Sequence, residues 1–105
     1  MARAVIIHTT RDSIEEIELD ISPEKNEVVR AVQGLPTFIG QWSEIDVVLV
    51  KSHGALVRNE NVLPKPFDGE IVFGAVLLVR MDANSEHCDF TLDEYLSFRD
   101  ERVPV

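Results

Sequence analysis

The chain has 105 residues, 45% of them apolar and 28% charged, which predicts one folded domain, residues 1–105, with an ordinary hydrophobic core. Its net charge of −9 excludes direct binding to a nucleic-acid backbone or an anionic membrane surface, because both need clustered Lys and Arg. A single cysteine excludes an internal disulfide, and no apolar run approaches the ~20 residues of a membrane helix, so we expect a soluble, cytoplasmic protein.

Two strands and a helix are predicted in the first third of the chain. Residues 3–9 contain the apolar run Val5–Ile7, which is typical of a strand buried on both faces. Residues 14–21 alternate apolar and acidic side chains, which predicts a strand with one buried face. Ser22 and Pro23 favour a helix start, and apolar side chains at positions 28, 31, 32 and 35 have helical spacing. We therefore predict a helix that ends at Gly34.

A long loop is predicted in the middle of the chain. Residues 35–42 form a compact connection, either a short strand or a turn, and residues 46–51 form an apolar strand. Residues 52–69 lack a strand or helix pattern, and loops of this length often serve a function or are mobile. Residues 70–81 are predicted to form the longest strand, with a bulge or a close backbone approach at Gly74.

The last helix has the clearest local signal. Thr91 and Glu94 have the spacing of a capping box, and Phe90 and Tyr95 flank them as a hydrophobic staple. Pro104 is expected to block extension of this helix. The element order predicts an α+β fold, with a mixed or mainly antiparallel sheet of about four strands and two helices packed on one face.

No motif for catalysis or metal binding is present. His8, His53, His87 and Cys88 lack a recognised spacing of metal ligands, and Cys88 is not part of a Cys–His motif. There is no Gly-rich phosphate loop, and among nineteen acids some pair will always resemble an acid–base couple. We therefore predict no catalytic residue, no metal site and no cofactor, and we lean against an enzyme.

The acids are concentrated in two segments. Residues 12–27 and residues 82–101 each carry seven acids and one base, whereas residues 28–81 carry five of each. Such segments would suit a basic protein partner, although acids also keep a surface solvated and a protein monomeric. They also suggest an acidic mimic of nucleic acid, which would need carboxylates at phosphate-like spacing on one face.

The leading interpretation is a non-enzymatic binding or protein-interaction module, either a monomer or a homodimer. Aromatic side chains in loops that carry Pro and Gly can anchor a partner, although they also seal small cores. The predicted contact residues are Phe38, Trp42, Asn59, Asn61 and Phe67.

The alternative is a small enzyme or ligand-binding protein with a pocket between residues 52–69 and residues 80–89. Arg80 would bind an anionic group, and His53, Asp82 or His87 would carry protons. This interpretation requires the four side chains to converge.

Four motif segments together resemble a family of small uncharacterised proteins, a domain of unknown function found in algae, other protists and large DNA viruses of algae. The segments are Ile39–Trp42, Leu63–Asp68, Leu78–Asp82 and Asp89–Tyr95, and the resemblance spans roughly residues 34–98. It implies no catalytic residue. It does imply that the motif segments lie in loops and at strand ends and form one shared surface.

Overall fold

The computed structural model describes residues 2–102, so Pro104, the residue expected to end the last helix, lies outside the described part. Its elements, besides two 3₁₀ turns at Pro23–Lys25 and Ser43–Ile45, are β1 (Ala2–Ile7), β2 (Ile14–Leu19), α1 (Glu27–Val32), β3 (Pro36–Trp42), β4 (Val47–Ser52), β5 (Val76–Met81), β6 (His87–Cys88) and α2 (Leu92–Arg102). The described strands form one antiparallel sheet in the order β2-β1-β5-β4-β3, with the short β6 paired to the end of β5.

The two most apolar strands occupy the middle of the sheet. β5 pairs with β1 on one side and β4 on the other, so that Leu78 lies between Val5 and Leu49. All three side chains are fully buried. A strand whose neighbours cover both of its edges and both of its faces needs an uninterrupted apolar sequence, as in Val5–Ile7 and Val76–Val79.

The sheet carries a hydrophobic cluster on each face. The α2 face contains Val5, Leu49 and Leu78 together with Trp42, Tyr95 and other buried side chains. The α1 face contains the alternate residues of the same strands, such as Ile6 and Leu77, packed against Val32 of α1. The two helices therefore lie on opposite faces of the sheet.

This arrangement corrects the prediction of two helices on one face. Successive side chains of residues 4–7 in β1 and 76–79 in β5 are all apolar and point alternately to the two faces, so each face needs its own cover. The sheet also has six strands within residues 2–102 rather than about four. The added strands are β3, whose segment was predicted as a short strand or a turn, and the two-residue β6.

The first predicted helix is shorter than its apolar spacing suggests. Asn26 adopts a left-handed conformation between the 3₁₀ turn and α1, and the Ser22 side chain makes no capping hydrogen bond. The left-handed residue at the helix end is Gln33 rather than Gly34. Leu35 is exposed and does not extend the buried stripe. Gly34 is needed for another reason, because a Cβ there would collide with Oγ of Ser52.

The strand predicted over residues 70–81 begins only at Val76. Gly74 interrupts it with φ of +88°, and a Cβ at this position would lie 2.7 Å from Cβ of Ala55. The predicted close backbone approach at Gly74 is confirmed. Residues 70–75 instead belong to the long connection between β4 and β5.

The capping box at the start of α2 is confirmed. Oγ1 of Thr91 accepts a hydrogen bond from the Glu94 amide at 3.2 Å, and Oε1 of Glu94 accepts one from the Thr91 amide at 3.3 Å. The next amide, of Leu92, donates to Oε1 of Glu16 on β2 at 2.8 Å, which anchors the helix to the sheet. Among the described residues, neither helix is long and apolar enough to cross a membrane.

Three glycines of the long connection differ in how strongly the structure should resist replacement by alanine, and their variants therefore test the fold. We expect Gly74→Ala to lower the free energy of unfolding by ~2 kcal/mol or more, because it combines a left-handed backbone with a steric clash. Gly54 has φ of +79° but open space around it, so Gly54→Ala should cost ~1 kcal/mol. Gly69 has neither constraint, and Gly69→Ala should be neutral or slightly stabilising. Urea denaturation measures all three, and equal effects would contradict the geometry.

Candidate binding surface

The long connection, residues 53–75, folds back on itself as an ordered arm. Residues 57–59 run antiparallel to residues 72–74, with Arg58 opposite Phe73. The amide of Asn59 donates to the carbonyl of Val72 at 2.8 Å, and the amide of Gly74 donates to the carbonyl of Val57 at 2.7 Å. These bonds join the beginning and the end of the loop and leave the residues between them as a turn.

A buried asparagine fixes the arm to the sheet. Asn59 is 7% exposed, and its Nδ2 donates to the carbonyls of Gly74 at 2.9 Å and Ile7 at 3.2 Å. Its Oδ1 accepts a hydrogen bond from the amide of Asn61 at 2.9 Å. The carboxamide thus supplies hydrogen-bond donors to one main-chain carbonyl of β1 and one of the arm. Without it these buried carbonyls would have no partner at this point.

Asn61 continues the same network into the turn between β1 and β2. Its Nδ2 donates to the carbonyls of His8 at 2.8 Å and Thr10 at 3.0 Å, and its Oδ1 accepts from the Asp12 amide at 2.8 Å. We call the side chains of Asn59 and Asn61 the asparagine clamp. Both were predicted as contact residues, but their polar atoms are engaged within the chain.

Aromatic side chains of the cluster on the α2 face hold the arm against the sheet. Trp42 is 1% exposed and its Nε1 donates to the carbonyl of Lys65 at 3.0 Å. Its ring lies 4.9 Å from Phe98 and 6.0 Å from the half-buried Phe67, measured between centroids. Trp42 and Phe67 were predicted to contact a partner, but here they join the arm to the core. Phe38 remains 61% exposed on the edge strand β3.

The motif segments do meet, but inside the protein rather than at a surface. Trp42, Phe67, Leu78 and Tyr95 come from the four different segments and belong to or pack against the same cluster on the α2 face. The resemblance implied a shared surface, and the structure corrects this to a shared core. Such motifs reflect the packing of the arm, the sheet and α2.

The outside of the arm is rich in exposed apolar side chains. Leu56 is 90% exposed and Val62 is 70% exposed, and each lies three positions from the inward-pointing Asn59. We define the arm surface as the exposed side chains at alternating positions of the two runs, namely Leu56, Arg58, Glu60, Val62, Ile71 and Phe73. A cleft of about 440 Å³ opens between the two runs, and Arg11 and Asp68 also line it.

None of the apolar members of the arm surface was predicted as a contact residue. Within residues 58–63, positions 58, 60 and 62 are exposed, whereas positions 59, 61 and 63 are buried or half-buried; the alternation does not extend to residues 56 and 57, which are both exposed. That period of two is visible in the sequence only if Asn59 and Asn61 are taken as the inward side chains. The alternation that marks the exposed positions is therefore present in the sequence, but its inward-pointing side chains are polar rather than apolar.

The guanidinium of Arg80, the predicted anion-binding residue, already contacts other groups of the protein. Its Nε donates to the carbonyl of Ile45 at 3.1 Å, and its Nη1 lies 2.7 Å from Oε2 of Glu94. Its guanidinium also stacks 5.0 Å from the centre of the Phe90 ring. Partial burial favours a higher pKa for Glu94, but hydrogen bonds from Arg80 and Thr91 outweigh it and the pKa lies below its usual value.

The other residues of the predicted pocket do not converge with Arg80. Oδ1 of Asp82 accepts hydrogen bonds from the amides of Asn84 and Glu86 in the turn after β5. His87 pairs with Met81, whose side chain is on the α1 face, whereas Arg80 contacts α2. His53 follows β4 at the opposite end of β5, at least ~17 Å away at ~3.3 Å per residue. These four residues therefore do not form one site.

The described residues also contain no group of three or more His, Cys, Asp or Glu side chains that could hold a metal ion. The Cys88 thiol lies 3.6 Å from the carbonyl of Glu86. His8 is paired instead with Glu15, with 2.9 Å between Nε2 and Oε1.

The asparagine clamp can be tested by truncation. Asn59→Ala should lower the free energy of unfolding by ~2–3 kcal/mol, because it leaves the buried carbonyls of Ile7 and Gly74 without their donors. Asn84→Ala, in an exposed turn, is the matched control and should change stability by less than ~0.5 kcal/mol. Denaturant unfolding measures both, and an Asn59→Ala variant as stable as the control would show that the clamp is dispensable.

His87 predicts a pH dependence of stability. Burial lowers the pKa of His87 below its ordinary value of 6.5, and its Nε2 is buried without a hydrogen-bond partner among the described residues. As pH falls through 6.5, the unfolded chain therefore binds a proton before the folded chain does, and stability decreases. Denaturant midpoints at pH 7.5 and pH 5.5 should show this decrease in the wild type and in the exposed-histidine control His53→Gln. The decrease should be smaller in His87→Gln, and an undiminished decrease would assign the effect to another group.

Three comparisons with known proteins were made, and one of them identifies the family of this chain. A search of curated proteins found no match, and a search of solved structures found none either. A family model, described as a family of unknown function (DUF5880), matches residues 5–98, which include all six strands except the start of β1, and most of α2. The chain therefore belongs to the DUF5880 family.

Proposed function

We propose that this protein is a cytoplasmic, non-enzymatic interaction module whose arm surface contacts a partner protein. The observation that carries the proposal is the distribution of exposed apolar side chains. Among residues 2–102, the large apolar side chains that are strongly exposed all lie between residues 35 and 73, and most lie on the arm: Leu35, Phe38, Leu56, Val57, Val62, Ile71 and Phe73.

The energetics of these side chains support a contact role. Burying a Leu, Ile or Val side chain stabilises a complex by up to ~1.5–3 kcal/mol relative to leaving it in water. Single exposed apolar residues are ordinary, but several on one side of one ordered segment are typical of an interaction site. Because the asparagine clamp and Trp42 hold the arm in place, binding would require little further ordering.

The sheet edges favour contact through side chains rather than strand addition. The edge strand β2 displays Glu15 and Glu18 to solvent. The other edge strand, β3, starts with Pro36 and has a register shift between Phe38 and Gly40. Charges, proline and irregular pairing are the features that discourage another strand from joining an edge. A partner would therefore bind the arm surface.

Charge also bears on the class of partner. The arm lies within residues 28–81, where acids and bases balance, while the acid-rich segments flank it in sequence. A neutral apolar surface on an acidic protein suits another protein and disfavours nucleic acid or an anionic membrane. The family's suggested occurrence in algae, other protists and algal viruses would place that partner in such cells.

The double variant Leu56→Ser/Val62→Ser tests the contact surface. Affinity capture with the wild-type chain identifies candidate partners, and each is then purified and titrated by calorimetry. We expect the double variant to bind at least roughly tenfold more weakly, a change of ~1.4 kcal/mol, because two exposed apolar anchors are lost.

The matched control is Leu35→Ser/Phe38→Ser, which removes two exposed apolar side chains from the region of β3 and leaves the arm intact. It should bind like the wild type, and all three proteins should have the same thermal midpoint. Equal affinity of the wild type and the arm variant for every purified partner would contradict the proposal.

A further inference from the structure

The connection between β2 and α1 contains a serine that does not cap the helix turn it precedes. Ser22 and Pro23 predict a helix start, but the Ser22 side chain makes no capping hydrogen bond. Among the serines and threonines of the chain, Ser22 is the one directly followed by a proline, and Lys25 lies three positions after it. Proline has no N–H, so a binding pocket without a hydrogen-bond acceptor at that position selects it. A serine with proline directly after it and a base at the third position is the pattern that proline-directed protein kinases recognise.

We propose that Ser22 is phosphorylated by a proline-directed protein kinase and that the phosphate loosens α1 from the sheet. In this reaction Oγ of Ser22 attacks the γ-phosphorus of ATP, and a new O–P bond forms. The bond between the γ-phosphorus and the β–γ bridging oxygen breaks, ADP leaves with its electron pair, and the hydroxyl proton passes to the catalytic aspartate of the kinase. Ser22 lies outside residues 53–75, so this proposal is independent of the proposed function.

The segment around Ser22 can enter a kinase active site without disturbing the core. The turn Pro23–Lys25 contains no buried side chain. Ser22 is half-buried, and its φ of −55° and ψ of 128° are close to the extended conformation that a residue before proline adopts. Two main-chain hydrogen bonds close the turn, from the Lys25 amide to the Ser22 carbonyl at 3.0 Å and from the Asn26 amide to the Pro23 carbonyl at 3.3 Å. So short a 3₁₀ turn opens at little cost, and opening it leaves the strands and α1 in place.

The surroundings of Ser22 are acidic, which determines the effect of a phosphate there. The Ser22 amide donates to Oδ1 of Asp20 at 2.9 Å, and the Asp20 amide donates to Oε1 of Glu27 at 3.1 Å. Hydrogen bonds from the amide and the hydroxyl of Ser22 lower the pKa of Asp20, so this carboxylate is ionised at neutral pH. Phosphorylation would replace the hydroxyl donor with about two negative charges beside Asp20, and the single charge of Lys25 offsets only part of them.

α1 is the element that depends most on this connection. It has six residues and begins at Glu27, and a helix of this length needs its packing to be stable. Its side of that packing is apolar, through Val28, Ala31 and Val32. Repulsion between the phosphate and the carboxylates of Asp20 and Glu27 would weaken the hydrogen bond that joins the first residue of α1 to the end of β2.

Phosphorylation of the purified full chain tests the site. A proline-directed kinase, shown to be active on an unstructured peptide that contains Ser-Pro-Glu-Lys, is incubated with the protein and ATP, and mass spectrometry follows the phosphate. We expect one phosphate at Ser22 and none in Ser22→Ala. Pro23→Ala should react at least roughly tenfold more slowly, and Lys25→Ala should also be slower, because each removes a group that the kinase recognises.

Matched controls change an exposed proline and an exposed lysine elsewhere. Pro36→Ala and Lys65→Ala do not alter the neighbours of Ser22 and should react like the wild type. A kinase that modifies the peptide but not the folded chain would overturn the site. So would phosphate on a different residue, or equal rates for the wild type and Pro23→Ala.

Native-state hydrogen exchange on the phosphorylated and the unmodified protein tests the effect on α1. The amides of Arg30 and Gly34 donate to the carbonyls of Asn26 at 3.1 Å and Val29 at 3.0 Å. We expect both to exchange at least roughly threefold faster after phosphorylation, because local opening of α1 becomes easier, while the Asn59 amide of the arm keeps its rate. Unchanged exchange of both α1 amides in fully phosphorylated protein would overturn the effect on α1.

Discussion

The carboxamide of Asn59 is the interaction on which the shape of the arm depends. It is buried and connects three parts of the chain, the end of β1, the return run at Gly74 and the turn that contains Asn61. A connection as long as residues 53–75 is ordinarily mobile, because few such loops bury enough to offset their conformational entropy. Here the clamp on one side and the Trp42–Lys65 hydrogen bond on the other hold it against the sheet. Without these bonds the arm surface would have no defined geometry to offer a partner.

The layering of the fold explains why the arm is exposed where it is. α2 covers one face of the sheet together with the turn of the arm, where Leu63 and Phe67 pack into the aromatic cluster around Trp42. The short α1 covers the other face. Once the inner side of the arm is used to complete the core, its outer side is left with apolar residues that nothing in the described chain covers. The exposed apolar surface is thus a consequence of how the core is closed.

Much of the architecture follows from local sequence patterns, and the exceptions have identifiable causes. The run Val5–Ile7 and the Thr91 capping box predict β1 and the start of α2 correctly, because burial and capping there depend on adjacent residues. The helix over 22–34 is predicted too long, because a single left-handed residue, Asn26, divides it. The side of the sheet on which each helix packs depends on contacts distant in sequence, which spacing does not reveal. The orientation of the loop residues is missed for a related reason. Polar residues in a loop suggest exposure, whereas Asn59 is buried because its side chain donates hydrogen bonds to main-chain carbonyls.

Native-state hydrogen exchange tests the central claim, that residues 53–75 form an ordered arm, most directly. The amides of Asn59, Glu60 and Gly74 donate to main-chain carbonyls in the structure, whereas the amide of Ala83 lies in an exposed turn. The account predicts that the three arm amides are protected to a degree that approaches the amides of β5. Exchange of all three at the unprotected rate of Ala83 would show that the arm is not fixed, and the proposed contact surface would lose its physical basis.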